Sequence, residues 1–196
     1  MRLLACVFLL AIPLVAGAQR DETHRGYNFA FGIGRGSMSL KCKGCETTSQ
    51  ADLSGMVRVG YTIKENLFAG VELLGFQKAQ IVNLETVQAT FGFGGGALLW
   101  YPRRYGDGFL KIGAGWSHSS GTFNAGTAQQ PTKLELNTPT LLGGVGFDVR
   151  MGRTFSLSPF VDYFYAIGSD ATLGANTTPV TVNSSVLNLG LALTYH

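Results

Sequence analysis

Cys42-Lys43-Gly44-Cys45 is the stretch whose residue types first suggest chemistry, because two thiols at this spacing can hold a metal ion, exchange electrons or close a small loop. Two glycine runs, Gly32-x-Gly34-x-Gly36 and Gly92-Phe93-Gly94-Gly95-Gly96, invite a phosphate-binding reading. Asn176-Thr177-Thr178 and Asn183-Ser184-Ser185 match the glycosylation sequon. Which chemistry is available depends on the element that carries each motif. A redox pair needs its first cysteine at a helix N-terminus, and a phosphate loop must open a helix.

The compartment is set by the first residues. MRLLACVFLLAIPLVAGAQR carries Arg2, an apolar run from Leu3 to Val15 and the small-x-small triplet Ala16-Gly17-Ala18. This reads as a secretory signal over residues 1–18, cut after Ala18, leaving one domain over 19–196. The run is too short for a convincing membrane-spanning helix, and Cys6 precedes most of it, which argues against a lipoprotein signal. A chain sorted this way keeps Cys42 and Cys45 where disulfides persist. The net charge of +3 includes Arg2, so the balance is too mild to indicate nucleic acid.

Charged residues make up 14% of the chain and glycine 27 of 196 residues, two departures that need one explanation. The period supplies it. From Gly26 onward it is two, the strand period, with no sustained helical pattern. Eight segments alternate: Tyr27 to Gly34, Leu53 to Tyr61, Leu67 to Leu73, Val87 to Tyr101, Leu110 to Trp116, Leu141 to Val149, Leu157 to Tyr165 and Leu187 to Tyr195. Lys64-Glu65-Asn66, Pro102 to Gly108 and Met151 to Thr154 are short connections. Lys41 to Asp52, Gln77 to Glu85, Ser119 to Asn137 and Gly168 to Ser184 are long and polar. This layout predicts an all-β fold: an eight-stranded antiparallel up-and-down transmembrane β-barrel, with both termini on the short-turn side.

The charges choose the solvent. Arg58, Glu72, Lys111, Asp148 and Asp162 fall in the small-residue register, with Gln88 and Asn188 as further lumen polar residues. The bulky register is therefore expected to face hydrocarbon, and the small and charged register to fill a narrow lumen. A three-residue loop at Lys64-Glu65-Asn66, pairing Ile63 with Leu67, places Arg58 opposite Glu72 and predicts a lumen ion pair. A gate or proton path through that pair is the functional alternative, against which stands the narrow lumen. Aromatic girdles are expected from Tyr27, Tyr61, Tyr101, Phe147 and Tyr195 on the short-turn side and from Phe76, Trp116 and Tyr165 on the other.

With these segments in place, the chain resembles the small bacterial outer-membrane β-barrel proteins of the OmpA/OmpX type over essentially all of its proposed mature length. Asn188-x-Gly190-x-x-Leu193-x-Tyr195 looks like the terminal-strand signal read by the outer-membrane assembly machinery, although His196 follows the aromatic residue. The resemblance implies a bacterial outer-membrane location, outer-membrane lipid and lipopolysaccharide as surroundings, the assembly machinery as partner, and a monomer without cofactor. It leaves the activity open. Lipid A deacylases of this membrane use a His-x-Ser with a nearby acid, and His118-Ser119-Ser120 with Glu135 is similar. His118 would serve as base, Ser120 as nucleophile and Glu135 as the group orienting the imidazole. Gly121-Thr122 stands where that family has Asn-Ala. The palmitoyl-transferring barrels begin with an amphipathic helix, for which Gln19 to Arg25 is too short.

The leading expectation is thus a non-enzymatic envelope barrel with a packed lumen and a structural or interaction role. A lipid A hydrolase and a narrow solute pore are the alternatives. Lys41, Lys43, Lys78 and Lys133 could touch lipopolysaccharide phosphates, but Glu46, Asp52, Glu85 and Glu135 share their loops. The glycine runs, with no helix after them, read as lumen-facing small residues and strand bends. For Cys42 and Cys45 a zinc site lacks ligands, with His24 and His196 expected at the opposite rim, and a redox helix is missing. A loop disulfide is the reading that remains.

Overall fold

The computed structural model describes residues 26–42, 48–82, 85–102, 107–123, 132–152, 154–173 and 180–196. The proposed signal, His24, Cys45 and the loop lysine Lys43 lie outside them, so the disulfide and the cleavage site do too. Eight antiparallel strands follow one another around a single closed sheet: β1 Tyr27–Cys42, β2 Thr48–Lys64, β3 Leu67–Val82, β4 Glu85–Trp100 and β5 Gly108–Phe123. Then come β6 Thr132–Phe147, continued by Val149–Arg150, β7 Phe155–Ala166, continued by Ser169–Leu173, and β8 Val180–Tyr195. β1 closes on β8 from Phe29 opposite Tyr195 to Cys42 opposite Val182. Gly168, at φ +31°, sits in the bend between the two parts of β7.

The stagger follows from the pairings. Stepping from Phe29 to Val59, Val71, Gly96, Ala114, Leu141, Tyr165 and Ser185 returns to Ser39, ten residues further along β1. Eight strands with that displacement must tilt by roughly 35–45° and enclose a bore that side chains can fill.

Three expectations are corrected here. First, much of the polar sequence assigned to long loops is ladder. β3 reaches Val82 and β4 starts at Glu85, with Val82 paired to Glu85, and β5 and β6 continue to Phe123 and from Thr132. Strands of 16 or 17 residues exceed the 9–11 needed to cross a bilayer, so one end of the barrel stands clear of it. Second, Lys64 pairs with Leu67 across the two-residue turn Glu65-Asn66, and Ile63 is absorbed as a bulge. The register beyond is the one expected, with Arg58 opposite Glu72.

Third, β4 is turned over relative to the expectation. Phe91 and Phe93 are buried in the lumen, whereas Gly92, Gly94 and Gly96 face out. Gln88, whose side chain lies outside the described residues, belongs to the same even-numbered set as those glycines, so its assignment to the lumen loses its basis. Phe76 and Tyr101 are likewise buried inside rather than placed in a girdle. The reason is volume. A bore this wide must be filled to close packing, and small residues alone would leave it hollow. The rings fit because glycines face them across the bore or on the next strand: a Cβ on Gly36 of β1 would lie 2.9 Å from Phe76 of β3, and one on Gly190 of β8 2.6 Å from Phe160 of the adjacent β7.

Elsewhere the bulky register faces out as expected, from Phe29, Phe31 and Ile33 on β1 to Leu187, Leu189, Leu191 and Leu193 on β8. Tyr27 meets Tyr61, and Phe155 meets Tyr195, edge to face at 5.3 and 5.4 Å on the short-turn rim. Trp116, Tyr163 and Tyr165 are exposed toward the other end. This is the banded surface of a transmembrane barrel.

Candidate functional site

Three polar constellations stand out from the ladder. The first is inside. Arg58 on β2, Glu72 on β3, Lys111 on β5 and Asp162 on β7 all point into the bore, each at most 2% exposed. Lys111 Nζ donates to both carboxylate oxygens of Glu72 at 2.9 Å and to Asp162 Oδ2 at 2.7 Å. Arg58 Nη1 stands 3.7 Å from Glu72 Oε2, with its guanidinium 5.8 Å from the ring centres of Phe68 and Phe109. Two cations and two carboxylates balance, the condition under which charges survive removal from water. Lys111 and Asp162 were expected as separate lumen residues, but the structure makes Lys111 the hub and leaves the expected Arg58–Glu72 pair as its longer arm. Asn188 accepts a hydrogen bond from Ser54 at 2.6 Å beside this cluster.

The lumen is closed above it. Phe76 stacks on Phe91 with centroids 5.5 Å apart, and Phe164 meets Phe91 at 6.0 Å and Phe93 at 4.9 Å. Phe76 lies four residues beyond Glu72 on β3, and Phe164 two beyond Asp162 on β7, so this aromatic layer caps the charges on the side away from the short turns. One stacked and two inclined ring contacts fill the bore with apolar side chains at this level.

The second constellation is the floor, on the short-turn side. Asp148, at the break between β6 and its continuation, accepts hydrogen bonds from Tyr101 Oη at 2.9 Å and Ser158 Oγ at 2.5 Å. His196 turns inward after β8: its backbone N–H donates to Thr154 O at 2.9 Å, Nδ1 lies 3.0 Å from Asn28 Nδ2 and Nε2 2.7 Å from Ser156 Oγ. With the Asn28 amide nitrogen donating, Nδ1 accepts and Nε2–H donates to Ser156, a pattern made for neutral imidazole. Burial, chiefly, holds the His196 pKa below its usual value. Asp148 pulls it up, while Arg150 and Arg58 push it down. A histidine pKa depressed by folding contributes stability that is intact above the unfolded value near 6.5 and is lost as pH falls through the folded value. The unfolding free energy read from urea titration is therefore expected to drop between pH 7.5 and pH 5.5, by at most about 1.4 kcal/mol per pH unit for one proton. His196→Gln should flatten that segment of the profile, and an unchanged slope would remove His196 from the account.

The third lies outside. His118 and Ser120 share the outward face of β5, and Glu135 and Asn137 that of β6. Register places Ser120 opposite Glu135 and His118 opposite Asn137. The group that touches the imidazole is thus Asn137, whose Oδ1 lies 2.7 Å from His118 Nδ1, and not Glu135 as expected. If Nδ1 carries the proton, Nε2 is free to accept one. Two residues from Trp116 toward the short turns, outward Gly96 of β4 helps to open an apolar groove of about 750 Å³, lined also by Ala69, Leu98, Ile112, Ala114 and Leu141.

Of the remaining expectations, Leu193 and Tyr195 of the terminal-strand pattern face out, while Asn188 and Gly190 face in. Cys42 ends β1. Among the described residues, no group of three or more His, Cys, Asp or Glu side chains is arranged to hold a metal ion.

The sequence matches no protein-family model and no curated protein. Solved structures do match. Neisserial surface protein A superimposes with a TM-score of 0.56 at 14% identity, over 85% of this chain and 96% of its own. OprG from Pseudomonas aeruginosa gives 0.54 at 17% over 89% and 98%. Ail of Yersinia pestis, solved with the heparin analogue sucrose octasulfate, gives 0.53 at 11% over 85% and 99%. Likeness at these identities is likeness of fold, and it joins what the closed ladder and banded surface already display: the chain is a small eight-stranded transmembrane β-barrel of the outer-membrane type.

Proposed function

We propose that the protein is an integral barrel of the bacterial outer membrane whose role is structural or interactive, exercised at its surface rather than through its bore. The observation that carries this reading is the closed lumen: the Lys111 hub neutralises its carboxylates inside, and Phe76, Phe91, Phe93 and Phe164 cap it. A small-solute pore would need that layer to part. The outward apolar band supports contact with lipid and lipopolysaccharide, and the Asn188-to-Tyr195 segment supports delivery by the assembly machinery as a monomer. Cell fractionation with heat-modifiable gel migration tests the location, and planar-bilayer recording tests the bore. Outer-membrane recovery, a heat-dependent shift and no conductance above background are expected. Periplasmic recovery without the shift would overturn the location, and steady single-channel steps would overturn the closed bore.

A second reading is favoured by one geometric fact, the outward His118–Asn137 hydrogen bond one strand period from Ser120, on the same two strands whose Ala114 and Leu141, four residues away, line the apolar groove. A hydrolase of acylated lipid would seat a chain in the groove, with His118 Nε2 taking the Ser120 proton as Oγ attacks the ester carbonyl; the ester C–O bond breaks, the leaving alkoxide takes that proton, and water then frees the fatty acid from Ser120. Lipid mass spectra of cells carrying the protein or its Ser120→Ala variant decide this. An acyl-chain difference supports the hydrolase, and identical spectra remove it.

A further inference from the structure

Arg35 departs from the apolar outward register of its own strand. On β1 it follows Phe29, Phe31 and Ile33 in the outward register and is exposed, with Leu53 of β2 and Leu189 of β8 as its direct cross-strand neighbours. Those two leucines are 71% and 51% exposed, so the surroundings of the guanidinium are hydrocarbon-facing. Among the described residues, it is the charged side chain that lies inside this apolar band, and no carboxylate of the barrel pairs with it.

Its height is informative. Arg35 is eight residues beyond Tyr27 of the short-turn rim, about 20 Å along the barrel axis once strand tilt is included, against a band about 25 Å tall. Beyond it the outward positions of β1 become small and polar: Ser37 lies between Ala51 of β2 and Leu187 of β8, the last large apolar neighbour on this side, and Ser39 lies between Ser49 and Ser185. An arginine there reaches the polar boundary without crossing hydrocarbon. At that depth a cation needs a partner, and a guanidinium matches the oxygens of a phosphate bidentately.

We propose that Arg35 is a lipid-phosphate anchor: its guanidinium binds the phosphate of a membrane lipid whose chains lie on the Ile33, Leu53 and Leu189 surface. The phosphomonoester of lipid A and the phosphodiester of a phospholipid offer the same chemistry. The proposal rests on the membrane-embedded reading, and its test separates the two. Wild type, Arg35→Leu and Arg35→Lys are folded into vesicles of matched chain length made of phosphatidylcholine, of phosphatidylcholine with bisphosphorylated lipid A, or of phosphate-free digalactosyl lipid. Folding equilibrium constants are read from urea titrations.

In the galactolipid, Arg35→Leu is expected to equal or exceed wild type. In at least one phosphate-bearing lipid, wild type gains about tenfold or more over Arg35→Leu, with Arg35→Lys in between. A gain already present in phosphatidylcholine assigns the phosphodiester as sufficient, and a gain appearing only with lipid A assigns the phosphomonoester. Insertion into all three with the same wild-type-to-variant ratio overturns the anchor alone. Failure to insert into any of them overturns the membrane reading and the anchor with it.

Discussion

Lys111→Met is expected to destabilise the barrel by about 3–5 kcal/mol, the range for removing one member of a buried charge network. The side chain is 1% exposed and makes hydrogen bonds to both oxygens of Glu72 and to Asp162. Its loss leaves two carboxylates facing Arg58 alone, which stands 3.7 Å from Glu72. The imbalance, more than the lost bonds, sets the magnitude. Lys111→Met/Asp162→Asn leaves Arg58 against Glu72 and should therefore recover a large part of the loss. Urea titrations in lipid vesicles read this directly through the lipid-facing Trp100 and Trp116. A double variant no more stable than the single one would show that charge balance is not the cause.

Phe164→Ala is expected to cost about 3–5 kcal/mol through a different mechanism, a cavity in the aromatic cap. Phe164 is 1% exposed and touches both Phe91 and Phe93, so no single neighbour can swing in to replace it. Phe164→Leu keeps much of the volume and should lose clearly less. The same titration compares them, and equal losses for Ala and Leu would mean that ring packing rather than volume governs the cap. With Phe76, Phe91 and Phe93 still in place, neither variant should conduct ions in planar bilayers.

The strand count, the closure and the inward course of the charges were readable because alternation over eight segments leaves few other arrangements. Arg58 opposite Glu72 was readable too, since a hairpin register extends from its turn, and the bulge at Ile63 preserved the pairing that a three-residue loop predicts. Contacts across the bore were not. Lys111 meets Glu72 and Asp162 from strands that are not neighbours, and that meeting depends on the ten-residue stagger, which no single hairpin reveals.

β4 misled for a related reason. In Phe91-Gly92-Phe93-Gly94 the period is plain but the sign is not, because a ring can fill a bore or face lipid. The volume left by the other seven strands decides between them. His196 and Asn137 were missed as hydrogen-bond partners because neither carries a motif. Pairing Ser120 with Glu135 would have found Asn137, since the same register places it opposite His118.

The inversion of β4 has a consequence for how the barrel enters a membrane. Gly92, Gly94 and Gly96 present almost no side chain to hydrocarbon, so this stretch of β4, unlike Leu98 and Trp100 at the strand's end, gains little transfer free energy of its own. Its peptide groups can sit in lipid only when β3 and β5 already satisfy them. Insertion of this part of the wall is then a collective event, in which Leu73 and Trp116 supply the partitioning and the glycine stretch of β4 travels as a hydrogen-bonded passenger between them.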